Sequence, residues 1–467
     1  MKLNDTIAAV STPYGKGGVA MIRISGSDAL AVSDRVFLTP GGKRPSEIQI
    51  RHAAFGRIYD PCDSTVPVDD VVLTVMKAPH TFTGEDTVEI CCHGGVLITQ
   101  AVLSCVLSAG ARAAEAGEFT RRAFVNGRMS LTEAESLGFL LEAETDTQVK
   151  LYRSGMLGRL KERTSAIYER LVRVQSSVFA AIDYPDEDLA ELSRDEMAEE
   201  IEQCAREVES LASTYRTGRA ISDGIPTVIC GKPNAGKSSL YNMLVGYDAA
   251  IVTDVKGTTR DVLTQNVSLG RVLLRLKDTA GIREGADAVE SIGIRRALDE
   301  ISGAELILAV FDCSEPLTDE DLSLIETLSG TDAVRLAILN KTDTEGAKDR
   351  ADTFEREFST GFEGAIRTSA LEGTGLDALR DRVEALYLDG SLSIGNDAVV
   401  LNARQATSLT EAHSSLIRAL ELLREGAELD MCCADVEEAL ISLGSVDGRA
   451  VSEDVVSSIF SHFCVGK

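Results

Sequence analysis

The sequence lacks the segments that direct proteins into or across membranes. No cationic, apolar leader follows Met1, and no run of about 18 apolar residues occurs among the 467 residues. We therefore expect neither a signal peptide nor a membrane span, and a membrane-transport function is disfavoured.

The ten cysteines also lack the spacing of a zinc site or of a redox pair. No C-x-x-C pair is present, and Cys91-Cys92 and Cys432-Cys433 are simply adjacent. Reduced thiols in this pattern are typical of the cytosol. We expect a cytoplasmic protein with reduced cysteines.

Basic residues are few. The chain has 47 lysines and arginines against 74 aspartates and glutamates, which gives a formal net charge of -27. Such a surface repels phosphate backbones, so an RNA substrate would be met by local patches or by the basic surface of a partner. No repeat of roughly 20 to 50 residues appears, which argues against a solenoid.

A complete G-x-x-x-x-G-K-S phosphate-binding loop occupies residues 231–239. Its glycines let successive backbone N–H groups turn inward and cradle phosphate oxygens at a helix N-terminus. Lys237 would reach the β- and γ-phosphates, and Ser238 would ligate Mg²⁺. The flanking pattern agrees, because residues 227–230 have the composition of a short strand and residues 239–245 that of a helix. The segment predicts a bound nucleoside triphosphate.

Three further motifs identify this nucleotide as GTP. Residues 278–281 read D-T-A-G after the apolar run 272–274, which suits a carboxylate near Mg²⁺ and a glycine N–H at the γ-phosphate. Residues 340–343 read N-K-T-D, and the Asp343 carboxylate accepts hydrogen bonds from N1–H and N2–H₂ of guanine, whereas adenine offers neither donor. Residues 368–370, T-S-A, supply a backbone N–H for the guanine O6.

Hydrolysis needs a water-orienting group that is not in its usual position. Ile282 follows the D-T-A-G motif, where Ras-like proteins have a glutamine. Residues 253–261 are expected to form a first switch, with Thr259 as the second protein ligand of Mg²⁺. Asn234 and backbone carbonyls are able to gather round a monovalent cation, which would replace an arginine finger, a role worth about 10³ to 10⁵ in rate. Arg260 is either such a finger or a solvated switch residue.

The predicted contacts to GTP come from these motifs and from the switch between them. They are Asn234, Ala235, Gly236, Lys237, Ser238, Ser239, Thr253, Asp254, Val255, Lys256, Gly257, Thr258, Thr259, Asp278, Thr279, Ala280, Gly281, Asn340, Lys341, Asp343, Ser369 and Ala370.

Hydrophobic patterning predicts a multidomain protein with α/β and all-α parts. Capping-box signals at residues 130–133 and 193–196 begin helices, and Pro185 marks a break between two long ones. Helical periodicity returns in residues 408–412, so the simplest arrangement joins two helical segments and inserts the nucleotide domain between them. The predicted domains are an N-terminal α/β domain (1–118), the first part of a helical domain (119–218), a Ras-like P-loop GTPase domain (219–380) and the second part of the helical domain (381–467).

In order and spacing, the motifs resemble those of the tRNA-modification GTPase family MnmE, also called TrmE, over essentially the whole chain. The matching segments are D-T-I-A-A (5–9), G-K-G-G-V-A (15–20), I-R-I-S-G (22–26), F-T-G-E-D (82–86), Glu89, H-G-G (93–95), G-E-F-T (117–120), R-A-F (122–124), P-N-A-G-K (233–237), G-T-T-R-D (257–261) and C-V-G-K (464–467).

The resemblance implies hydrolysis that is stimulated by potassium. Asn234 and Thr258 would bind K⁺ through side-chain oxygens, and Thr253 and Val255 would bind it through backbone carbonyls. Val255 stands where isoleucine is common in the family, a harmless change if only its carbonyl binds. Glu290 is implied to orient the attacking water in place of the missing glutamine.

The resemblance also implies an N-terminal domain that forms a homodimer and binds 5-formyltetrahydrofolate or 5,10-methylenetetrahydrofolate. The matching positions are Arg23, Glu89, Arg128 and Lys467. A carboxylate suits the donor-rich edge of a pterin, and cations suit a glutamyl tail and a formyl oxygen. Arg128 stands where lysine is often found, which retains the charge but not the geometry. Cys464, delivered by a preceding helix, is the candidate functional thiol, with a merely structural role as the alternative.

In the family, the chain acts with a FAD-dependent partner, MnmG, in a heterotetramer or larger complex. Together they are implied to add an aminomethyl or carboxymethylaminomethyl group at C5 of the wobble uridine of certain tRNAs. The GTPase domains of the dimer are implied to face each other and to close during hydrolysis. The alternative class is a regulatory switch such as a ribosome-assembly GTPase, which would usually add a basic RNA-binding module with a G-x-x-G loop; none is visible after the GTPase domain.

Overall fold

The computed structural model describes residues 5–183, 192–247, 264–277, 303–358 and 361–466, which belong to two units. The first unit consists of Met1–Gly138, Gly155–Cys204 and Ser414–Lys467. The second unit consists of Phe139–Ser154 and Ala205–His413. The described part of each unit contains one β-sheet.

Strands form where apolar and β-branched residues are concentrated. They are β1 (Ile7–Val10), β2 (Val19–Ser25), β3 (Phe37–Leu38), β4 (Ala53–Asp60), β5 (Asp63–Met76), β6 (Thr87–His93), β7 (Arg112–Ala113), β8 (Ile225–Cys230), β9 (Thr264–Leu269), β10 (Val272–Lys277), β11 (Leu306–Asp312), β12 (Val334–Asn340) and β13 (Ala365–Arg367).

Helices occupy the segments with helical periodicity. They are α1 (Ala29–Val36), α2 (Val96–Ser108), α3 (Glu118–Val125), α4 (Leu131–Leu141), α5 (Asp146–Met156), α6 (Arg159–Asp183), α7 (Arg194–Ser213), α8 (Tyr215–Ser222), α9 (Lys237–Tyr247), α10 (Asp319–Ser329), α11 (Ala347–Glu357), α12 (Leu376–Tyr387), α13 (Ala403–Glu425), α14 (Leu429–Asp447) and α15 (Glu453–Ser461). Within the described ranges, no helix combines the length and the apolar character that crossing a bilayer requires.

The sheet of the first unit has the strand order β3-β4-β5-β6-β2-β1-β7, and only the pair of β1 and β7 is parallel. Alternate residues of a strand point to the same face. Ile22 and Ile24 of β2 and Ile90 of β6 are fully buried on the face that α1 and α2 cover. Arg23 lies between the two isoleucines of β2, so it points to the opposite face, where its partner in register is Glu89 on β6.

Both helix starts predicted from capping boxes are confirmed in the structure. α4 and α7 each follow a serine whose N–H donates to the side chain of the glutamate three residues later. The N–H of that glutamate donates back to the serine Oγ, in the pairs Ser130–Glu133 and Ser193–Glu196. Pro185, the predicted break, lies outside the described residues.

The sheet of the second unit has the order β13-β12-β11-β8-β10-β9, and all its strands are parallel except β9, which pairs with β10 in the antiparallel sense. Every residue of β11 is buried, as expected for a central parallel strand. The predicted strands at 227–230, 272–274 and 336–339 lie within β8, β10 and β12, and the predicted helix at 239–245 lies within α9. The loops that follow β8, β11 and β12 therefore meet at one edge of the sheet.

Two glycines in the loop before α12 give a matched test of backbone strain. Gly373 and Gly375 both have left-handed φ, +70° and +92°. A Cβ on Gly375 would lie 2.1 Å from the Arg367 carbonyl oxygen, whereas a Cβ on Gly373 would have nothing within 4 Å. Gly373→Ala should lower the free energy of unfolding by about 1 to 2 kcal/mol, the cost of a left-handed alanine. Gly375→Ala should lower it by about 3 kcal/mol or more, because the collision is added to that cost. Urea unfolding without nucleotide measures both values, and equal losses would contradict the collision.

Candidate functional site

The phosphate-binding loop joins β8 to α9. Gly231 and Gly236 have φ of +151° and +100°. A Cβ on Gly231 would lie 2.4 Å from the Val310 carbonyl oxygen, and one on Gly236 would lie 2.0 Å from Asn340 Nδ2. A side chain at either position would collide with its neighbour, so the path of the loop requires glycine there.

Lys237 turns back into this loop. Its Nζ donates hydrogen bonds of 2.9 Å to the carbonyl oxygens of Gly231 and Lys232. Burial lowers the pKa of Lys237. Ser238 and Ser239 follow in the first turn of α9 and are exposed. The ammonium and the Ser238 hydroxyl thus lie together at a helix N-terminus, where phosphate and its Mg²⁺ are well accommodated.

One amide side chain connects three of the predicted nucleotide loops. Asn340, the last residue of β12, donates from Nδ2 to the Ala235 carbonyl oxygen at 3.0 Å. Its Oδ1 accepts from the Ala370 N–H at 3.1 Å. One backbone N–H of the T-S-A loop, that of Ala370, is therefore in a hydrogen bond with Asn340. The phosphate loop and both base loops are brought together around this residue.

The predicted guanine carboxylate lies beside the last loop. Asp343 Oδ1 accepts a 2.6 Å hydrogen bond from Ser369 Oγ. A cavity of about 580 Å³ opens here, lined by Asp343 together with Thr344, Lys348 and Glu372 among others. A polar cavity with a carboxylate in its wall fits the donor edge of guanine.

Part of the predicted site lies outside the described residues. These positions are Thr253, Asp254, Val255, Lys256, Gly257, Thr258, Thr259, Asp278, Thr279, Ala280, Gly281, Glu290 and Lys467. Of the predicted potassium ligands the structure describes Asn234, which is exposed and has a left-handed φ of +61°. Of the predicted magnesium ligands it describes Ser238.

A second group of predicted residues lies in the first unit, on the sheet face opposite α1 and α2. Arg23 Nε donates to Glu89 Oε1 at 2.9 Å, and Arg23 NH2 lies 2.9 Å from the same oxygen. The guanidinium carbon lies 5.5 Å from the centre of the Phe82 ring and 5.7 Å from that of Phe119. Two aromatic contacts and one carboxylate therefore fix the arginine.

Arg128 and Cys464, also predicted, contact residues close in sequence to the two aromatic rings. Arg128 donates from Nε to the carbonyl oxygen of Thr81, next to Phe82. The carbonyl oxygen of Cys464 accepts a 3.4 Å hydrogen bond from the N–H of Gly117, two residues before Phe119. The Cys464 side chain is exposed.

The chain after Cys464 contacts residues that follow β7 and β1. Val465 forms an antiparallel bridge with Ala116, and the Gly466 carbonyl oxygen accepts a 3.0 Å hydrogen bond from Ser11 Oγ. The segment before it is anchored by Phe460 of α15, which is buried against Leu131 of α4. The position of the cysteine backbone is thus fixed from both sides.

A buried arginine holds the loop that carries Phe82. Arg122 donates to Asp5 Oδ1 at 2.6 Å, to Glu118 Oε1 at 3.0 Å and to Glu85 Oε1 at 3.2 Å. Burial alone would lower the pKa of Arg122, but these carboxylates outweigh it and the pKa is raised. Sequence reasoning did not assign a role to Arg122, Phe82 or Phe119. The only signal was their place in the F-T-G-E-D, G-E-F-T and R-A-F segments.

Known proteins resemble this chain over its whole length. A family model described as the MnmE helical domain matches residues 131–464, and one described as the GTP-binding protein TrmE N-terminus matches residues 6–128. The tRNA modification GTPase MnmE of Bacillus licheniformis is 42% identical over 464 residues, covering 99% of this chain and 100% of that protein. The proteins of the same description from Bacillus subtilis and Clostridioides difficile are 39% and 36% identical, over 99% and 100% of this chain and 100% of each relative. The chain therefore belongs to the MnmE family of tRNA modification GTPases.

Proposed function

We propose that this chain is a potassium-stimulated GTP hydrolase that, with the FAD-dependent partner MnmG, takes part in modifying C5 of the wobble uridine of certain tRNAs. The group added is aminomethyl or carboxymethylaminomethyl. The observation that carries the hydrolase part is the joining of the phosphate loop to both base loops by Asn340, with Lys237 held inside the phosphate loop. Family membership carries the tRNA part.

The residues present fit GTP with Mg²⁺. Lys237 would bind phosphate oxygens through its ammonium group, and Ser238 would offer its hydroxyl to Mg²⁺. Asp343 would accept from guanine, whereas the adenine of ATP would offer this carboxylate no such donors. The bound Mg²⁺ supplies charge stabilisation at the phosphates.

Potassium has one candidate ligand in the described residues. Asn234 is exposed in the phosphate loop and has a left-handed backbone conformation. An amide oxygen is a suitable ligand for a monovalent cation. A cation held there supplies positive charge near the phosphates, in the place of an arginine finger.

Hydrolysis should be at least about tenfold faster in potassium than in sodium at equal ionic strength, since a charge in the arginine-finger position is worth up to about 10³ to 10⁵ in rate. Asn234→Ala should remove most of this difference, because it removes a ligand. Steady-state phosphate release in the two salts measures the effect. Equal rates for the unaltered chain in both salts would refute the potassium role.

Glu290 is proposed to orient the attacking water. Glu290→Ala should lower kcat by about a hundredfold or more while GTP still binds, because the residue would act mainly on the transition state. Glu284→Ala, in the same segment, is the matched control and should leave kcat near that of the unaltered chain. A loss of GTP binding with unchanged kcat would contradict this role.

The pair of Arg23 and Glu89 is proposed to bind a reduced folate. Both arginine contacts go to Glu89 Oε1. Within the described residues no hydrogen bond to Oε2 is found, so that oxygen suits the amino and N–H donors of a pterin. Arg128 and Lys467 would meet the anionic tail. The folate supplies the one-carbon unit, and Cys464 would hold a thiol beside it.

Assembly is proposed to follow the family as well. The N-terminal domains would form a homodimer, and MnmG would join it in a heterotetramer or larger complex. Because this chain carries a formal charge of -27, the basic surface that meets tRNA would belong largely to the partner.

Cells that lack this chain should lose the wobble-uridine modification, as measured by nucleoside analysis of their tRNA, and the unaltered gene should restore it. Cys464→Ser should fail to restore it while keeping GTP hydrolysis, because the thiol acts away from the nucleotide. Cys62→Ser, at the other exposed cysteine, is the matched control and should restore it. Normal modification with Cys464→Ser would exclude an essential thiol. Normal modification in the deletion strain would favour a purely regulatory switch instead.

The same proteins test the folate contact directly. Glu89→Gln should weaken binding of 5-formyltetrahydrofolate by about tenfold or more, because a charge-assisted hydrogen bond is lost. Asp70→Asn, which breaks the exposed ion pair with Arg57 in the same sheet, should leave folate affinity unchanged. Calorimetric titration measures both, and equal affinity for Glu89→Gln and the unaltered chain would remove the pterin contact.

A further inference from the structure

A lysine of the phosphate loop is bound by two carboxylates that lie outside all the nucleotide motifs. Lys232 Nζ lies 3.0 Å from Asp321 Oδ2 and 3.0 Å from Glu315 Oε1. The side chains of Lys232 and Asp321 are only 8% and 3% exposed. Burial alone would lower the pKa of Lys232, but the two acidic partners outweigh it and the pKa is raised. A shielded ion pair of this kind holds its geometry far better than a surface pair.

The Asp321 carboxylate is itself fixed at the start of α10. Asp321 Oδ2 accepts from the Thr318 N–H at 2.9 Å and from Thr318 Oγ1 at 2.7 Å, and the Asp321 N–H donates back to Thr318 Oγ1. This is a capping box, so the oxygen that binds Lys232 belongs to a regular helix end. The lysine is anchored to a rigid element.

The anchored residue also positions Lys237. The carbonyl oxygen of Lys232 is one of the two acceptors that hold Lys237 Nζ, at 2.9 Å. A change in the backbone at Lys232 therefore moves an acceptor of the ammonium that is proposed to meet the phosphates. The ion pair between Asp321 and Lys232 therefore affects the position of Lys237 through the backbone of Lys232.

The segment between β11 and α10, which contains Glu315, also contacts the lysine of the N-K-T-D motif. Lys341 Nζ donates to Asp312 Oδ2 at 2.6 Å, and the other oxygen of Asp312 accepts from the N–H and Oγ of Ser314. The Asp312 side chain is 5% exposed. Burial alone would raise the pKa of Asp312, but the hydrogen bonds from Lys341 and Ser314 outweigh it and the pKa is lowered. Asp312 is thus a carboxylate, and in this form it fixes Lys341 in the loop that would bind the base.

We infer that residues 312–321, the segment from the end of β11 to the first turn of α10, are a brace that positions the phosphate loop and the base loop through separate ion pairs. This inference rests on the proposed binding of GTP. Asp312 acts on Lys341, and Asp321 with Glu315 acts on Lys232. None of the three carboxylates belongs to a nucleotide motif, so they are positioning residues. Substitutions within this one segment should therefore change both the binding of the base and the hydrolysis of the phosphate.

The two halves of the brace should differ in their kinetic effect. Lys237 meets the phosphates, whose charge redistributes in the transition state, so loosening Lys232 should lower kcat as well as affinity. The guanine base is not altered by hydrolysis. Loss of the contact that positions Lys341 should therefore weaken binding of the ground state and of the transition state equally. That loss appears in KM and leaves kcat unchanged.

The test uses the full-length chain with Lys232→Met, Lys232→Arg, Asp312→Asn and the control Arg271→Met. Arg271 forms an ion pair with Glu384 elsewhere in the second unit, so its removal should change neither kcat nor KM. Lys232→Met should weaken binding of a fluorescent GDP analogue by about tenfold and lower kcat, and Lys232→Arg should recover most of both. Asp312→Asn should raise KM for GTP by about tenfold with kcat unchanged. Thermal unfolding of each variant is measured beside these values.

Each outcome bears on the brace. Affinity and kcat of Lys232→Met equal to those of the unaltered chain would overturn its phosphate half, and unchanged KM in Asp312→Asn would overturn its base half. A loss in Lys232→Arg as large as in Lys232→Met would mean that packing, not charge, holds the loop. If Lys232→Met does not fold, the isosteric Glu315→Gln takes its place and should lower kcat to a smaller extent; unchanged kcat there overturns the phosphate half. An unaltered chain that does not bind GDP would overturn the proposed function, and the brace with it.

Discussion

The amide of Asn340 is the contact on which the nucleotide site depends. It accepts from the loop after β13 and donates to the loop after β8, so three chain segments far apart in sequence share one side chain. Gly236 passes so close to this amide that a Cβ would overlap it. Because the amide is buried, leaving either of its groups unpaired would carry a full desolvation penalty. The loops are thereby held in one arrangement before any ligand arrives, which is what recognition of a phosphate and a base together requires.

In the first unit, the charged pair of Arg23 and Glu89 is held in a defined position on the sheet face opposite α1 and α2. Arg23 is not buried, yet its guanidinium has a carboxylate at its edge and aromatic rings at its sides. One of these rings is on the loop that Arg122 fixes, and Arg122 is buried among carboxylates of three different segments. Removing one of these carboxylates would leave a buried charge less well compensated, so the cluster resists partial rearrangement. The buried Arg122 thus helps to fix the position of the partly buried Arg23.

The sequence sufficed for the features that depend on neighbouring residues. The capping serines Ser130 and Ser193, the strands before the phosphate loop and the N-K-T-D motif, and the helix after the loop are local patterns, and the structure has them where they were predicted. Family resemblance gave Arg23 and Glu89 as two folate positions, but their pairing with each other was not predicted, because strand register is set by the whole sheet. Lys232 and Asp312 were missed for a related reason, since an ion pair between distant segments leaves no mark in either one. The domain boundaries, like the roles of Thr259 and Glu290, remain predictions.

The backbone conformation of Lys341 sets the stability of its loop against the contact that positions the loop for base recognition. Its φ of +61° is a left-handed conformation that costs a residue with a side chain about 1 to 2 kcal/mol. Glycine would adopt it freely, but only a long cationic side chain brings an ammonium to Asp312. The loop is thus kept in a locally unfavourable shape by its contacts. Glycine at this position would relieve the backbone cost and would also remove the ion pair, so a gain in local backbone stability would come with a less firmly held base loop.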